Sequence, residues 1–182
     1  IGRIGRRRSL LLRARNEFRE RIEVAGPGLR DAARLADLVG VLNRVAEHLP
    51  VVFPVHPRTR NRIQELGLPT GRLHLCPPQG YLDFLRLTNS ARLVLTDSGG
   101  IQEETTILQV PCLTLRENTE RPVTIEQGTN HLVGLDPERI YAAAAAVLSS
   151  PPPGGEHVSQ FWDGKASERI IDALEQQPQR DL

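Results

Sequence analysis

Between residues 51 and 148 the chain repeats one pattern: a short apolar run, a turn of small or polar residues, then a stretch of helical periodicity. Short β-type runs alternating with helices imply crossover connections, and crossovers imply strands that all run the same way. The clearest unit starts at Arg92-Leu93-Val94-Leu95-Thr96 and turns at Asp97-Ser98-Gly99-Gly100. It continues as a helix from Ile101 to Leu108 and returns as the strand Pro111-Cys112-Leu113-Thr114-Leu115. The same reading gives strands at Val51–Val55, Arg72–Cys76 and His131–Leu135, and helices at Arg60–Leu66 and Tyr81–Asn89. Thr119 is placed to cap a helix with Pro122 in its first turn, where a missing N–H costs little, and Gly128 ends it. Asp136-Pro137 opens a further helix running to Leu148. Upstream, Leu35, Leu38, Val39, Leu42 and Val45 fall at helical spacing between Asp31 and His48, and Pro50 stops that helix.

The fold expected from this pattern is α/β: a Rossmann-like parallel sheet flanked by helices. Three parts follow. Residues 1–32 form an atypical Arg-rich segment, 33–150 the Rossmann-like domain, and 151–182 a linker and a C-terminal amphipathic helix over Ala166–Gln176, packed back on the domain or on a partner. The 182 residues suffice for one such domain and are too few for two large ones. The chain has no Met and starts at Ile1, which suggests a piece of a longer protein.

Charge divides the chain unevenly. Residues 1–34 hold ten Arg and four acids; the rest holds 13 basic and 18 acidic residues. The acidic body lacks a nucleic-acid stripe. The basic head reads either as an arm for RNA or a membrane surface, or as a poorly ordered or chimeric end. Cys76 and Cys112 belong to no C-x-x-C pair, which suggests a reducing, cytoplasmic setting without a disulfide framework. The five His (48, 56, 74, 131, 157) lack metal-ligand spacing. Neither a cofactor nor a metal is expected, nor a nucleic-acid or membrane partner.

Ligands of a parallel α/β sheet bind beyond the carboxyl ends of its strands. Four loops at that edge carry polar groups: His56–Thr59, Gln79-Gly80, Asp97–Gly100 and Arg116–Arg121. Ser98-Gly99-Gly100 is the strongest signal, because N–H groups at a helix start are unpaired and favour an anion such as a phosphate. The plainer alternative is a tight turn, since the segment is neither a Walker A loop nor G-x-G-x-x-G. Glu104, one turn into the helix, can accept bonds from two vicinal hydroxyls, or lie on a solvated face. Glu103 reads as solvated. Arg121 is a natural fork for phosphate oxygens, or a surface Arg bridging Glu120 or Glu117. Tyr81 and Phe84 share a helix face: core packing is the expectation for Tyr81, an aromatic platform for a base the alternative. His56, between Val55 and Pro57, is either a ligand contact or a turn residue.

Thr96-Asp97-Ser98-Gly99-Gly100-Ile101-Gln102-Glu103-Glu104, followed by Arg116-Glu117-Asn118-Thr119-Glu120-Arg121-Pro122, resembles the non-hydrolysing UDP-N-acetylglucosamine 2-epimerase family. The resemblance extends back through Tyr81-Leu82-Asp83-Phe84 to Val51–Thr59, and forward to Gly128-Thr129 and Leu132-Val133-Gly134, about residues 33–150 in all. It implies the C-terminal half of a GT-B-like, two-domain homodimeric enzyme with the active site in the cleft. It implies interconversion of UDP-GlcNAc and UDP-ManNAc, without metal or redox cofactor, by elimination and re-addition of UDP. The product would feed bacterial surface polysaccharides. Family UDP contacts carry over to Gln79 and Phe84 near uracil, to Ser98, Gly99 and Gly100 on the diphosphate, to Glu104 on the ribose and to Arg121 on a phosphate. His56 matches a position tied to regulatory or substrate contact.

The family's catalytic acids lie in an N-terminal domain that this sequence does not match, so catalytic residues are left unassigned. Its T-x-H-R-x-E-N motif has no counterpart where Arg21–Gly28 stands. The segment up to Ala32 therefore reads as an unrelated or out-of-frame stretch joined to the C-terminal half. Gln109 stands where the family favours Gly, and Val123 where it favours an acid. Two alternatives remain: half of a GT-B glycosyltransferase, or a noncatalytic nucleotide-binding module.

Overall fold

The computed structural model describes residues 22–25 (backbone alone), 31–151 and 161–176. The basic head up to residue 21 and the linker beyond Pro151 lie outside the described residues. The described elements are strands β1 (Ile22–Ala25), β2 (Val51–Pro54), β3 (Leu73–Cys76), β4 (Leu93–Thr96), β5 (Cys112–Thr114) and β6 (Asn130–Leu132). The helices are α1 (Ala32–Val45), α2 (Pro57–Glu65), α3 (Tyr81–Asn89), α4 (Gly99–Leu108), α5 (Val123–Glu126), α6 (Pro137–Ser149) and α7 (Ala166–Glu175). All strand pairs are parallel, in the order β3-β2-β1-β4-β5-β6. This is a doubly wound sheet whose strand order reverses between β1 and β4.

A strand covered on both faces needs apolar residues on both, so it reads as a continuous run rather than an alternation. All four residues of β4 are buried accordingly. Leu35, Val39 and Leu42 of α1 are fully buried in one cluster with Val51, Phe53, Leu93, Leu95 and Leu113. Fully burying a Leu or Phe side chain stabilises by about 1.5–3 kcal/mol, so this cluster outweighs any surface ion pair.

Caps fix the helix starts. The Asp31 carboxylate accepts the Ala33 N–H at 3.0 Å, and that of Asp136 accepts the Arg139 N–H at 2.8 Å. Both satisfy first-turn donors that would otherwise lack partners. Helix α1 packs on α6. There Arg44 grips the Glu138 carboxylate and lies over the Tyr141 ring, 4.0 Å from its centroid.

The structure departs from the sequence reading in several places, among them α2, which begins at Pro57 rather than Arg60, and β6, which spans Asn130–Leu132 rather than His131–Leu135. Strand β1 lies within residues 1–32, the segment set apart above, yet it is a central strand, paired with both β2 and β4. Ala25 stands beside Thr96, at the carboxyl edge. The boundary at 33 therefore does not separate the sheet from what precedes it. Helix α4 begins at Gly99 rather than Ile101, so both glycines belong to its first turn. Helix α5 has only four residues, with Pro122 rather than Thr119 in the cap position.

Gln109 closes α4 in the left-handed region, at φ 56°. Such a backbone costs a non-glycine residue about 1–2 kcal/mol, which accounts for glycine being favoured there. The Gln109 side-chain amide donates to the Thr106 carbonyl at 2.6 Å and offsets part of that cost. Gln109→Gly is expected to raise stability by about 0.5–1 kcal/mol, read as a melting temperature about 2 °C higher. An unchanged or lower melting temperature would mean that the side-chain hydrogen bonding outweighs the strain.

Candidate functional site

The carboxyl ends of β2, β3, β4 and β5 lead into the four polar loops. At the end of β4, Ser98 has extended backbone (φ −83°, ψ 127°), and its carbonyl accepts the Gln102 N–H at 3.2 Å to start α4. Its hydroxyl makes no capping hydrogen bond. The N–H groups of Gly99, Gly100 and Ile101 thus lie in an uncapped first turn, at the positive end of a ten-residue helix.

Neither glycine is there for the chain's own sake. Gly99 and Gly100 are absent from the positive-φ residues. A Cβ at Gly100 would meet nothing within 4 Å, and one at Gly99 would make only ordinary contact with Arg121 at 3.9 Å. Gly128 is the contrast: a Cβ there would stand 2.4 Å from the Thr124 carbonyl oxygen and 2.6 Å from the Thr106 hydroxyl.

That Gly99 contact also locates Arg121. Its Cγ and Nε lie beside the first turn of α4, so the basic side chain and the helix terminus share one place. Its Nε is 2.8 Å from Glu103 Oε1, an ion pair that is not aligned as a hydrogen bond. Nη1 donates to the Glu120 carbonyl at 3.3 Å. Arg121 therefore pairs with Glu103 rather than with the Glu120 or Glu117 carboxylate, and Glu103 is not the solvated residue expected. Both side chains are about two-fifths exposed (41% and 39%). The pair contributes under about 1 kcal/mol and serves orientation more than stability.

The remaining sequence-derived positions are placed as follows. Glu104 is half-buried and has no ion pair or side-chain hydrogen bond among the described residues. Phe84 is half-buried on α3, which packs against α4. Tyr81 is 64% exposed, so the core role expected for it is corrected: α3 turns that edge to solvent and buries Thr88 instead. The Gln79 side chain folds onto its own loop and donates to the Pro77 carbonyl. His56 is exposed and caps α2, its Nδ1 accepting the Arg58 N–H at 3.3 Å. The chain itself brings Arg121 against Gly99 but records no contact of Gln79 or His56 with that turn.

Asp97, just before the turn, is half-buried. Burial pushes its carboxyl above the usual aspartate range, opposed by its own backbone hydrogen bond and by the Arg116 guanidinium. Cys112 on β5 is wholly buried and its thiol is pushed up to about 12, so it is no nucleophile in the folded chain. Among the described residues no group of three or more His, Cys, Asp or Glu is placed to hold a metal. No helix among them is long and apolar enough to cross a membrane.

The residues that sequence reasoning passed over are polar and buried. Gln102, Thr105, Thr106, Thr114, Thr124 and Asn130 are at most 2% exposed; Gln102, Asn130 and Thr124 link α4 to the Arg121 loop, while the Thr105 and Thr106 hydroxyls donate back to carbonyls of α4. The signal was available: Gln102, Thr105 and Thr106 repeat at i, i+3 and i+4, the spacing of an inward helix face, but carry polar groups.

The whole-chain comparisons agree with one another. The family model described as UDP-N-acetylglucosamine 2-epimerase matches residues 28–175. The UDP-N-acetylglucosamine 2-epimerase of Methanocaldococcus jannaschii is 43% identical over 129 residues, which are 68% of this chain and 34% of that one. A probable UDP-N-acetylglucosamine 2-epimerase of Ralstonia nicotianae is 35% identical over 179 residues, covering 95% of this chain and 45% of its own. A span of that size necessarily includes residues before 33. The solved structure of the M. jannaschii enzyme superposes with TM-score 0.74 at 34% identity, over 92% of this chain and 48% of that chain. Its complex with UDP-GlcNAc and UDP superposes with TM-score 0.69 at 36% identity, over 86% and 44%. The chain thus spans between a third and a half of the length of these relatives.

The two kinds of glycine separate in a denaturation experiment. Gly100→Ala should leave stability unchanged or raise it by up to about 1 kcal/mol. Gly128→Ala should lower it by about 1–3 kcal/mol through overpacking. Equal losses in both would mean that Gly100 is held by the fold after all.

Proposed function

Because the chain belongs to the UDP-N-acetylglucosamine 2-epimerase family, we propose that it forms the UDP-holding half of an enzyme that interconverts UDP-GlcNAc and UDP-ManNAc. The observation that carries this reading is the placement of Arg121 against the uncapped first turn of α4. A cation and a row of N–H donors converge there, with no packing need for the glycines between them. A relative 36% identical over the superposed region carries UDP-GlcNAc and UDP in its solved complex.

In this reading the diphosphate lies on the N–H groups of Gly99 and Gly100 and on the Ser98 hydroxyl, and Arg121 holds a phosphate oxygen. Glu104 accepts from the ribose hydroxyls, Gln79 and Phe84 approach the uracil, and His56 serves a substrate or regulatory contact. UDP departs as an anion when its bond to the sugar breaks. Donors already aimed at that charge lower the barrier without reorganising. Proton transfer at C2 needs an acid and a base at hydrogen-bond distance from that carbon. These belong to an N-terminal domain facing this one across a cleft, in a homodimeric cytoplasmic enzyme. The UDP-binding unit is residues 33–150 together with the central strand β1 that precedes them, and 151–182 is a linker and terminal helix.

The 182-residue chain is expected to bind UDP weakly and not to turn over UDP-GlcNAc. By calorimetry, Arg121→Ala should weaken UDP binding by about tenfold or more, the loss of a charge-assisted bond. Glu104→Ala should weaken it about fivefold, and Gly100→Ala should weaken it without loss of stability. Equal affinity in all three variants would displace the site, and epimerisation by the chain alone would refute the division of labour.

A further inference from the structure

The Arg121 side chain is about two-fifths exposed, but its main chain is hydrogen-bonded on both sides. The Arg121 N–H donates to the Thr119 hydroxyl at 3.0 Å, and the Arg121 carbonyl accepts from the Thr124 hydroxyl at 2.7 Å. Each hydroxyl is held in turn. Thr119 donates to Gln102 Oε1 at 2.6 Å, and Thr124 accepts from Asn130 Nδ2 at 3.1 Å. Asn130 Nδ2 also reaches Gln102 Oε1 at 3.3 Å, and Asn130 Oδ1 accepts from the Thr114 hydroxyl of β5 at 2.6 Å.

The amide orientations are fixed by this pattern. Thr124 already donates its one proton to the Arg121 carbonyl, so it has to accept from the Asn130 NH₂, which also faces Gln102, and the Asn130 oxygen is left to accept from Thr114. Gln102 is then bound to turn its oxygen toward Asn130 and Thr119. Its Nε2 is buried with no hydrogen-bond partner among the described residues. The chain leaves one amide nitrogen unsatisfied and keeps the oxygen as acceptor for Thr119. Gln102 is 0% exposed and stands on α4, the helix whose first turn supplies the Gly99 and Gly100 N–H groups. One rigid element therefore carries both the donors and the residue that places the Arg121 loop.

We propose that the Thr119 hydroxyl, anchored by the buried Gln102 amide, is a positioning group that sets where Arg121 stands relative to the first turn of α4. Through Arg121 it governs how tightly the site holds a nucleoside diphosphate. The binding half of this statement rests on the UDP-holding reading above. The positioning half does not.

Thr119→Val keeps the shape of the side chain and removes both of its hydrogen bonds; Thr119→Ser keeps them. Calorimetry with UDP on Thr119→Val, Thr119→Ser, Arg121→Ala and the Thr119→Val/Arg121→Ala double variant gives a cycle that a purely structural role would not reproduce. Thr119→Val should lose about five- to tenfold in affinity, Thr119→Ser should stay within about twofold of the parent, and Thr119→Val should change nothing further once Arg121 is Ala. A loss of the same size with and without the Arg121 side chain overturns the proposal, as does an unaltered affinity in Thr119→Val. A second arm needs no ligand: the Arg121 Nε–H resonance in ¹H–¹⁵N spectra should move in Thr119→Val and return in Thr119→Ser. An unmoved resonance overturns the positioning claim by itself. If the parent chain binds no UDP, the UDP-holding reading fails, and the spectra still decide whether Thr119 positions Arg121.

Discussion

The six strands of the described residues all run the same way, so they cannot be joined by hairpins, and each has to be connected to the next by a crossover. Everything else in this molecule depends on that constraint. It covers both faces of the sheet, and so demands that β4 be apolar on both sides. It sends the loops after β2, β3, β4 and β5 to one edge. It also places the start of each following helix at that edge, with N–H groups pointing outward. The parallel sheet thus gathers unpaired N–H donors at one edge before any particular side chain is chosen.

What the side chains add is aim. Arg121 lies against the first turn of α4: a Cβ at Gly99 would touch its Cγ and Nε at 3.9 Å. Glu103 limits its swing from one side. The buried Gln102–Asn130 pair limits its main chain from the other. Burying an amide nitrogen without a partner costs about 1–3 kcal/mol. A chain selected for stability alone would be expected to replace it, whereas a chain that has to hold a loop in register with a helix gains from it. Polar groups inside a protein specify one arrangement only when nearly all of them are paired, and here four of the five participating side chains are, the Gln102 Nε2 being the exception.

Most of the fold was legible in the sequence because its elements are local. The periodicity of Leu35, Leu38, Val39 and Leu42, the run Leu93–Thr96 and the Asp136-Pro137 opening each identify an element without knowledge of its neighbours. Strand β1 was not legible. It has four residues in an Arg-rich stretch, and its place between β2 and β4 is a tertiary fact. The site divides in the same way. Ser98, Gly99 and Gly100 announce themselves by composition and by their position after a strand. The pairing of Arg121 with Glu103 spans two elements and leaves no local trace, and Thr119 looked like a helix cap because its hydroxyl does accept an N–H two residues on. The exposed Tyr81 and the capping His56 were misjudged or left open because the direction a side chain faces depends on packing that spacing does not contain.

In the proposed function the first turn of α4 and Arg121 together hold a diphosphate. A crystal structure of this chain grown with UDP tests it most directly. Phosphate oxygens are expected within hydrogen-bond distance of the Gly99 and Gly100 N–H groups, with the Arg121 guanidinium on the same diphosphate. UDP bound with its phosphates away from this turn, or touching the turn while Arg121 remains on Glu103 alone, would contradict it.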